Sequence, residues 1–169
     1  GISILGAPDN IIGGKAGEGP NLISGNRRHG IHIEGEAADG NIIRGNVIGL
    51  NWDRDIGVGN KENGIFILNA PENVIGGPEE EHRNIVSWNG IDGIRIEGGD
   101  AEENRIEGNW IGLLGDGQSG KGNRRQGVHI MDAGRNIIGP GNVVSGNWEN
   151  GIYVHGENRS CFFNAMIGN

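Results

Sequence analysis

The residues of this chain best equipped for chemistry recur in one place. His32, Phe66, Arg95, His129 and Tyr153 each fill the third position of a four-residue motif: Gly30-Ile-His-Ile, Gly64-Ile-Phe-Ile, Gly93-Ile-Arg-Ile, Gly127-Val-His-Ile and Gly151-Ile-Tyr-Val. Gly1-Ile-Ser-Ile is an earlier copy, with Ser3 in that position. Two positions further on stand Leu5, Glu34, Leu68, Glu97, Met131 and His155. Imidazole, guanidinium and carboxylate groups can hydrogen-bond hydroxyls and carboxylates, and the rings of Phe66 and Tyr153 are flat apolar surfaces for sugar stacking. If successive motifs stack ~4.8 Å apart, the row matches the spacing of sugar residues. Glu34 and Glu97, two motifs apart, are then separated by ~10 Å of backbone. That distance does not forbid a carboxylate pair across a glycosidic bond, although Leu68 stands between them. The plainer reading is a solvated sheet face whose Glu, Arg and His form surface ion pairs worth ~0–1 kcal/mol each.

A second candidate is a metal loop. Asn51-Trp-Asp53-Arg-Asp55-Ile-Gly57 alternates oxygen-bearing side chains and ends in Gly, as the start of an acidic calcium loop does. A closing bidentate Glu is not at the expected distance, and the matching Leu114-Gly-Asp116-Gly-Gln118 has lost two of the three. Calcium on Asn51, Asp53 and Asp55 is the one cofactor the sequence raises, against an ordinary polar loop. Glu79-Glu80-Glu81-His82 reads as a solvated charge run. No Ser-His-Asp or Cys-His grouping stands out, so no catalytic residue is assigned.

The elements that carry these residues follow from the repeat. The motif starts are 29, 34, 29, 34 and 24 residues apart, the self-similarity of a solenoid. Between the motifs lie two further apolar segments per unit. The second is Asn-x-Ile, at Asn10, Asn41, Asn73, Asn104 and Asn136; the third is Asn-x-Ile/Val, at Asn21, Asn46, Asn84, Asn109 and Asn142. Gly supplies 35 of the 169 residues and Ile and Val dominate the apolar positions, which disfavours helix. The segments are too short for hairpins, so stacking of equivalent segments must satisfy their backbone groups. The expected fold is all-β: a right-handed parallel β-helix of six coils with three short parallel sheets, forming a single domain over residues 1–169. Period two points Ile12, Ile43, Ile75, Ile106 and Ile138 inward, with Ile23, Ile48, Val86, Ile111 and Val144 on another wall. The Asn columns fall at corners, where Asn tolerates left-handed backbone and can bond the Asn one coil away.

The outward third-segment residues Leu22, Val47, Ile85, Trp110, Val143 and Met166 are apolar, more than a soluble surface normally leaves bare. Long turns at 13–20, 76–83, 50–63 and 113–126 flank this segment and are expected to fold over it. The second-segment outward column, Ile11, Ile42, Val74, Arg105, Ile137 and Cys161, has no obvious cover and reads as a packing or partner face.

Net charge of −8 argues against nucleic acid, which requires a Lys/Arg surface. No apolar run approaches the ~18 residues of a membrane span. The single cysteine, Cys161, excludes an internal disulfide. The chain starts without Met inside a repeat and shows no signal peptide, so a segment of a longer solenoid is expected. Coil ends lacking a capping repeat template edge pairing, and self-association through them or through the second-segment face is expected.

Asn-Leu-Ile-Ser-Gly-Asn (21–26), Gly-Ile-His-Ile (30–33), Asn-Ile-Ile-Arg-Gly-Asn-Val-Ile-Gly (41–49), Gly-Asn-Lys-Glu-Asn-Gly (59–64) and Asn-Val-Ile-Gly-Gly (73–77) follow one another in order. Together they resemble the right-handed parallel β-helix repeats of bacterial secreted and cell-surface proteins, the pectin-lyase-like fold. The resemblance covers the whole chain and implies a secreted or cell-surface location. It implies much less about activity, because such repeats serve lyases, hydrolases, epimerases, adhesins and spacers alike. In the enzymes the face equivalent to the first segment binds polysaccharide. This chain departs from the pattern by containing no Thr. It also shows neither the acidic calcium cluster beside an Arg base of pectate-lyase-like enzymes nor the three Asp and Gly-His-Gly of polygalacturonase-like ones. The leading expectation is a non-catalytic β-solenoid scaffold or surface segment with weak glycan binding at His32, Glu34, Phe66, Arg95, Glu97, His129 and Tyr153. The alternatives are a polysaccharide-active lyase or hydrolase, and an engineered or excised scaffold without a native ligand.

Overall fold

A computed structural model describes residues 1–14, 19–157 and 161–169. The chain winds into a parallel β-solenoid with three sheets. The first sheet stacks six four-residue strands in the order Ile2–Leu5, Ile31–Glu34, Ile65–Leu68, Ile94–Glu97, Val128–Met131 and Ile152–His155. The second runs from Ile11–Ile12 through Ile42–Ile43, Val74–Gly76, Arg105–Glu107 and Ile137–Ile138 to Ala165–Met166. The third holds Asn21–Ile23, Asn46–Ile48, Ile85–Val86, Trp110–Ile111 and Val143–Val144. Every pairing between these strands is parallel and joins a segment to its equivalent one coil away. Strands of two to four residues cannot bury a face alone, so each coil depends on its neighbours for both hydrogen bonds and core.

The core is a narrow stack of Ile and Val. Ile43, Ile75, Ile106 and Ile138 are fully buried in one column, and Ile48, Val86 and Ile111 in another. Ile12, in the first coil, is 6 % exposed. The inward register expected from period two is therefore the observed one. Ala38, Ala70, Ala101 and Ala133 are all fully buried in the same core.

Three asparagine ladders run along the corners. In the central ladder the Nδ2 of Asn46 donates to Oδ1 of Asn84 (3.0 Å), Asn84 to Asn109 (2.9 Å) and Asn109 to Asn142 (3.1 Å). Each Oδ1 also accepts the backbone N–H of the Asn one coil earlier, as in Asn46 to Asn84 at 3.0 Å. Asn10, Asn41, Asn73, Asn104 and Asn136 form a parallel ladder. A third, Asn26, Asn60, Asn89, Asn123 and Asn147, was not singled out by the spacing. Glycines beside the ladders let the backbones approach. Gly76 has φ +89°, and a Cβ there would lie 1.9 Å from the Glu107 carbonyl oxygen.

Two expectations about the last coil need correction. Ala165–Met166 pairs with Ile137–Ile138 in the second sheet, so Met166 does not belong to the third-sheet column and Cys161 does not belong to the second. Asn164 accepts the Asn136 backbone N–H at 2.8 Å, which sets this register. Residues 15–18 of the first long turn lie outside the described residues.

The long turns cover the middle of the third sheet. Val47 and Ile85 are 3 % and 4 % exposed and pack with Leu50, Trp88, Trp110 and Leu114. Arg83 lies over Trp110, 4.4 Å from the ring centroid, and Lys121 over Trp88 at the same distance. The cover stops short of the ends, where Leu22 is 41 % and Val143 43 % exposed.

Candidate functional site

The first sheet aligns Ser3, His32, Phe66, Arg95, His129 and Tyr153 in one outward column, with Leu5, Glu34, Leu68, Glu97, Met131 and His155 beside it. All seven first-sheet candidates thus share a face. Glu34 and Glu97 are kept apart, with Leu68 between them in register.

Most of these groups close on one another. His29 and Asp92, just upstream of the motif glycines, reach into the row although the motif spacing does not mark them. Asp92 is fully buried, and its Oδ2 lies 3.0 Å from Nδ1 of His129, which is 4 % exposed. Its Oδ1 accepts the Gln126 backbone N–H at 3.0 Å. The Nδ1–H of His129 therefore points to the carboxylate, and its buried Nε2 is left without a partner. Arg95 donates from Nε to Glu97 at 2.8 Å, places Nη1 3.7 Å from Asp92, and sets Nη2 3.1 Å from the Met131 sulfur.

The other end of the row is an aromatic cluster. His32 and Phe66 stack with centroids 5.3 Å apart and planes 7° from parallel. His29 leans on Phe66 at 4.8 Å and on His32 at 5.3 Å. Phe66 therefore turns ring surface toward its neighbours, where the sequence suggested a platform for sugar. Tyr153 is the more open ring, 37 % exposed, tilted against His129 at 5.1 Å and near-parallel to His155 at 6.0 Å.

His29 accepts the Asn63 backbone N–H on Nδ1 (3.3 Å) and directs Nε2 to Glu62 at 3.0 Å. Burial holds its pKa below the usual imidazole value, with Glu62 opposing and His32, Arg28 and Arg95 assisting. Burial lowers His32 in the same way, opposed chiefly by Glu34, whose carboxylate is 3.5 Å away. A column one residue upstream of the motif glycines explains what the sequence reading missed: His29, Asn63, Asp92, Gln126 and Asn150 are linked by backbone-to-side-chain bonds. Aligning those five positions is the signal that finds Asp92.

The metal-loop residues sit elsewhere, on a short hairpin closed by the Leu50–Gly57 bridge. Asn51 Oδ1 accepts the N–H groups of Asp55 and Ile56, both at 3.0 Å, and its Nδ2 donates to Asp55 at 2.8 Å. Asp53 remains exposed on the turn. The oxygens of Asn51 and Asp55 thus hold the hairpin itself. Among the described residues no group of three or more His, Cys, Asp or Glu is arranged to hold a metal ion. None of the helices among them is long and apolar enough to cross a membrane.

The fold defines the class: a parallel β-solenoid with three sheets. Comparison with protein-family models, curated proteins and solved structures finds no match.

Proposed function

We propose that this chain is a non-catalytic β-solenoid scaffold or surface segment, of the bacterial secreted or cell-surface kind its repeats resemble, with weak affinity for glycans along the first sheet. The observation that carries the scaffold reading is mutual pairing on that face. Asp92 is engaged by His129, Arg95 by Glu97, and His29 by Glu62, which spends these polar groups on rigidity. Glycan affinity draws on what stays open, chiefly Tyr153 with His155 and Glu34 at the flanks. The second sheet supports self-association as a further property, since Ile11 is 58 % exposed and Ile42, Val74 and Ile137 are half-buried. Sedimentation over a concentration series tests it.

The test of the main reading is an NMR titration with neutral and acidic oligosaccharides, run beside an assay for new reducing or unsaturated ends. Millimolar shifts at His32, Phe66, Arg95 or Tyr153 without turnover support the proposal. Absence of shifts removes the glycan half. Turnover supports the enzyme alternative, which the unpartnered Nε2 of His129 favours.

A further inference from the structure

The corner between the third and first sheets carries a row of cations in a chain of net charge −8. One residue past each asparagine of the third ladder stand Arg27, Lys61, Gly90, Arg124 and Trp148. Backbone bonds of 2.8–3.1 Å hold the row in register: the N–H of Lys61 donates to Asn26, Gly90 to Asn60, Arg124 to Asn89 and Trp148 to Asn123. Arg27, Lys61 and Arg124 are exposed, and none has an ion-pair partner among the described residues. The acids of this corner are engaged elsewhere: Glu62 by Arg28 and His29, Glu149 by Arg125, and Asp92 by His129. Gly90 interrupts the row, and a groove of about 430 Å3 opens there between Lys61 and Arg124, with Trp88 in its wall. Lys121 holds its ammonium over the Trp88 ring, 4.4 Å from the centroid, and also lacks an ion pair among the described residues. Trp148 continues the row as a ring 68 % exposed.

We propose that this corner binds a linear anionic polysaccharide, a chain of sugars bearing carboxylate or sulfate groups, laid along the solenoid axis. Coils rise ~4.8 Å, close to the length of one sugar, so Arg27 and Lys61 meet neighbouring sugars of an extended glycan. Lys61 and Arg124, ~10 Å apart at the backbone, meet the anionic groups of sugars two apart. The guanidinium groups offer such anions a two-pronged hydrogen bond. Lys121, fixed on Trp88 by cation–π attraction, supplies a fourth charge beside the groove. Trp148 offers a flat apolar surface to the C–H face of a sugar. A nucleic acid fits less well, because four cations in an acidic chain do not neutralise a backbone of closely spaced phosphates. The corner is separate from the outward column of the first sheet, so the proposal does not rest on glycan affinity there.

The test adds hexasaccharides prepared from alginate, which carries carboxylates, and from heparin, which carries sulfates, to the whole chain while NMR resonances are followed. Maltohexaose and a thymidine hexanucleotide serve as contrasts. Saturable shifts at Lys61, Lys121 and Arg124 with an anionic hexasaccharide are expected, weakening as salt rises, and the tighter of the two names the anionic group. Lys61→Gln/Arg124→Gln should weaken binding roughly tenfold. Arg105→Gln/Arg135→Gln, which removes the same charge from the second-sheet side, should leave it unchanged, with circular dichroism confirming the fold of both variants. Absence of saturable shifts with either anionic hexasaccharide, equal loss in the two variants, or equal binding of maltohexaose or the oligonucleotide would overturn the proposal. Failure of the first-sheet reading is seen at other residues, His32, Phe66, Arg95 and Tyr153.

Discussion

Asp92 and His129, 37 residues apart in the chain, meet with Oδ2 and Nδ1 3.0 Å apart, and neither side chain is more than 5 % exposed. The same carboxylate accepts the Gln126 N–H through Oδ1. One buried group therefore ties three positions across adjacent coils. Asp92→Ala strips both acceptors at once and leaves the buried N–H groups of His129 and Gln126 unpaired, at ~1–3 kcal/mol each. Asp92→Asn keeps a carbonyl for Gln126 and should cost less than half as much. Denaturant unfolding of the two variants checks the ranking.

The histidine cluster should make stability depend on pH in one direction. His29 and His32 have pKa values lowered by burial, so between the folded and unfolded values the unfolded chain binds more protons. Stability then rises with pH, is fully present above the unfolded value of about 6.5, and is lost as pH falls from there through the lowered folded values. Protonating His29 on Nδ1 also ends its acceptance of the Asn63 N–H. Unfolding free energies across this window should fall more steeply on acidification for the parent chain than for a His29→Asn/His32→Asn variant.

The asparagine ladders predict a strong position effect. Asn84 is fully buried, donates to Ile43 and Asn109, and accepts both N–H groups of Asn46. Asn84→Ala should cost about 3 kcal/mol or more, because several buried groups lose partners worth ~1–3 kcal/mol each. Asn10→Ala, at an exposed end of its ladder, should cost under half of that. Thermal melts of the pair decide it.

Ile75 sits fully buried at mid-stack, in register with Ile43 and Ile106. Ile75→Ala should destabilise the chain by about 2–5 kcal/mol, since flanking coils cannot collapse into the space without breaking their ladders. Equilibrium unfolding in urea measures the loss.

The four tryptophans should divide by environment. Trp52 and Trp148 are 65 % and 68 % exposed, whereas Trp88 and Trp110 are half-buried beneath the long turns and beside Lys121 and Arg83. Single-tryptophan variants retaining Trp88 or Trp110 should emit to the blue of the other two and resist iodide quenching. Equal quenching of all four would contradict the observed cover.

The architecture was legible in the residues because a solenoid repeats its instructions. Ile75 recurs two places after a corner Asn in coil after coil, and period two then settles which wall it faces. His32, Phe66, Arg95, His129 and Tyr153 could be placed in one row for the same reason. The last coil resisted, since Phe162 and Phe163 interrupt the pattern and its register is set by contacts the sequence does not display, among them the Asn136–Asn164 bond and the backbone bonds of Ala165 and Ile167 to Asn136 and Ile138. The chemistry of the row was decided in three dimensions. Sequence shows that His129 and Arg95 share a face; it does not show that Asp92, from the corner before the strand, reaches under both. Nor does it show that His32 covers one side of the Phe66 ring, or that Asn51 and Asp55 turn their oxygens onto their own hairpin. A repeat determines which backbone positions become neighbours. Rotamers, burial and competition among hydrogen-bond partners determine what neighbouring side chains do to each other, and those depend on contacts made only when the coils close.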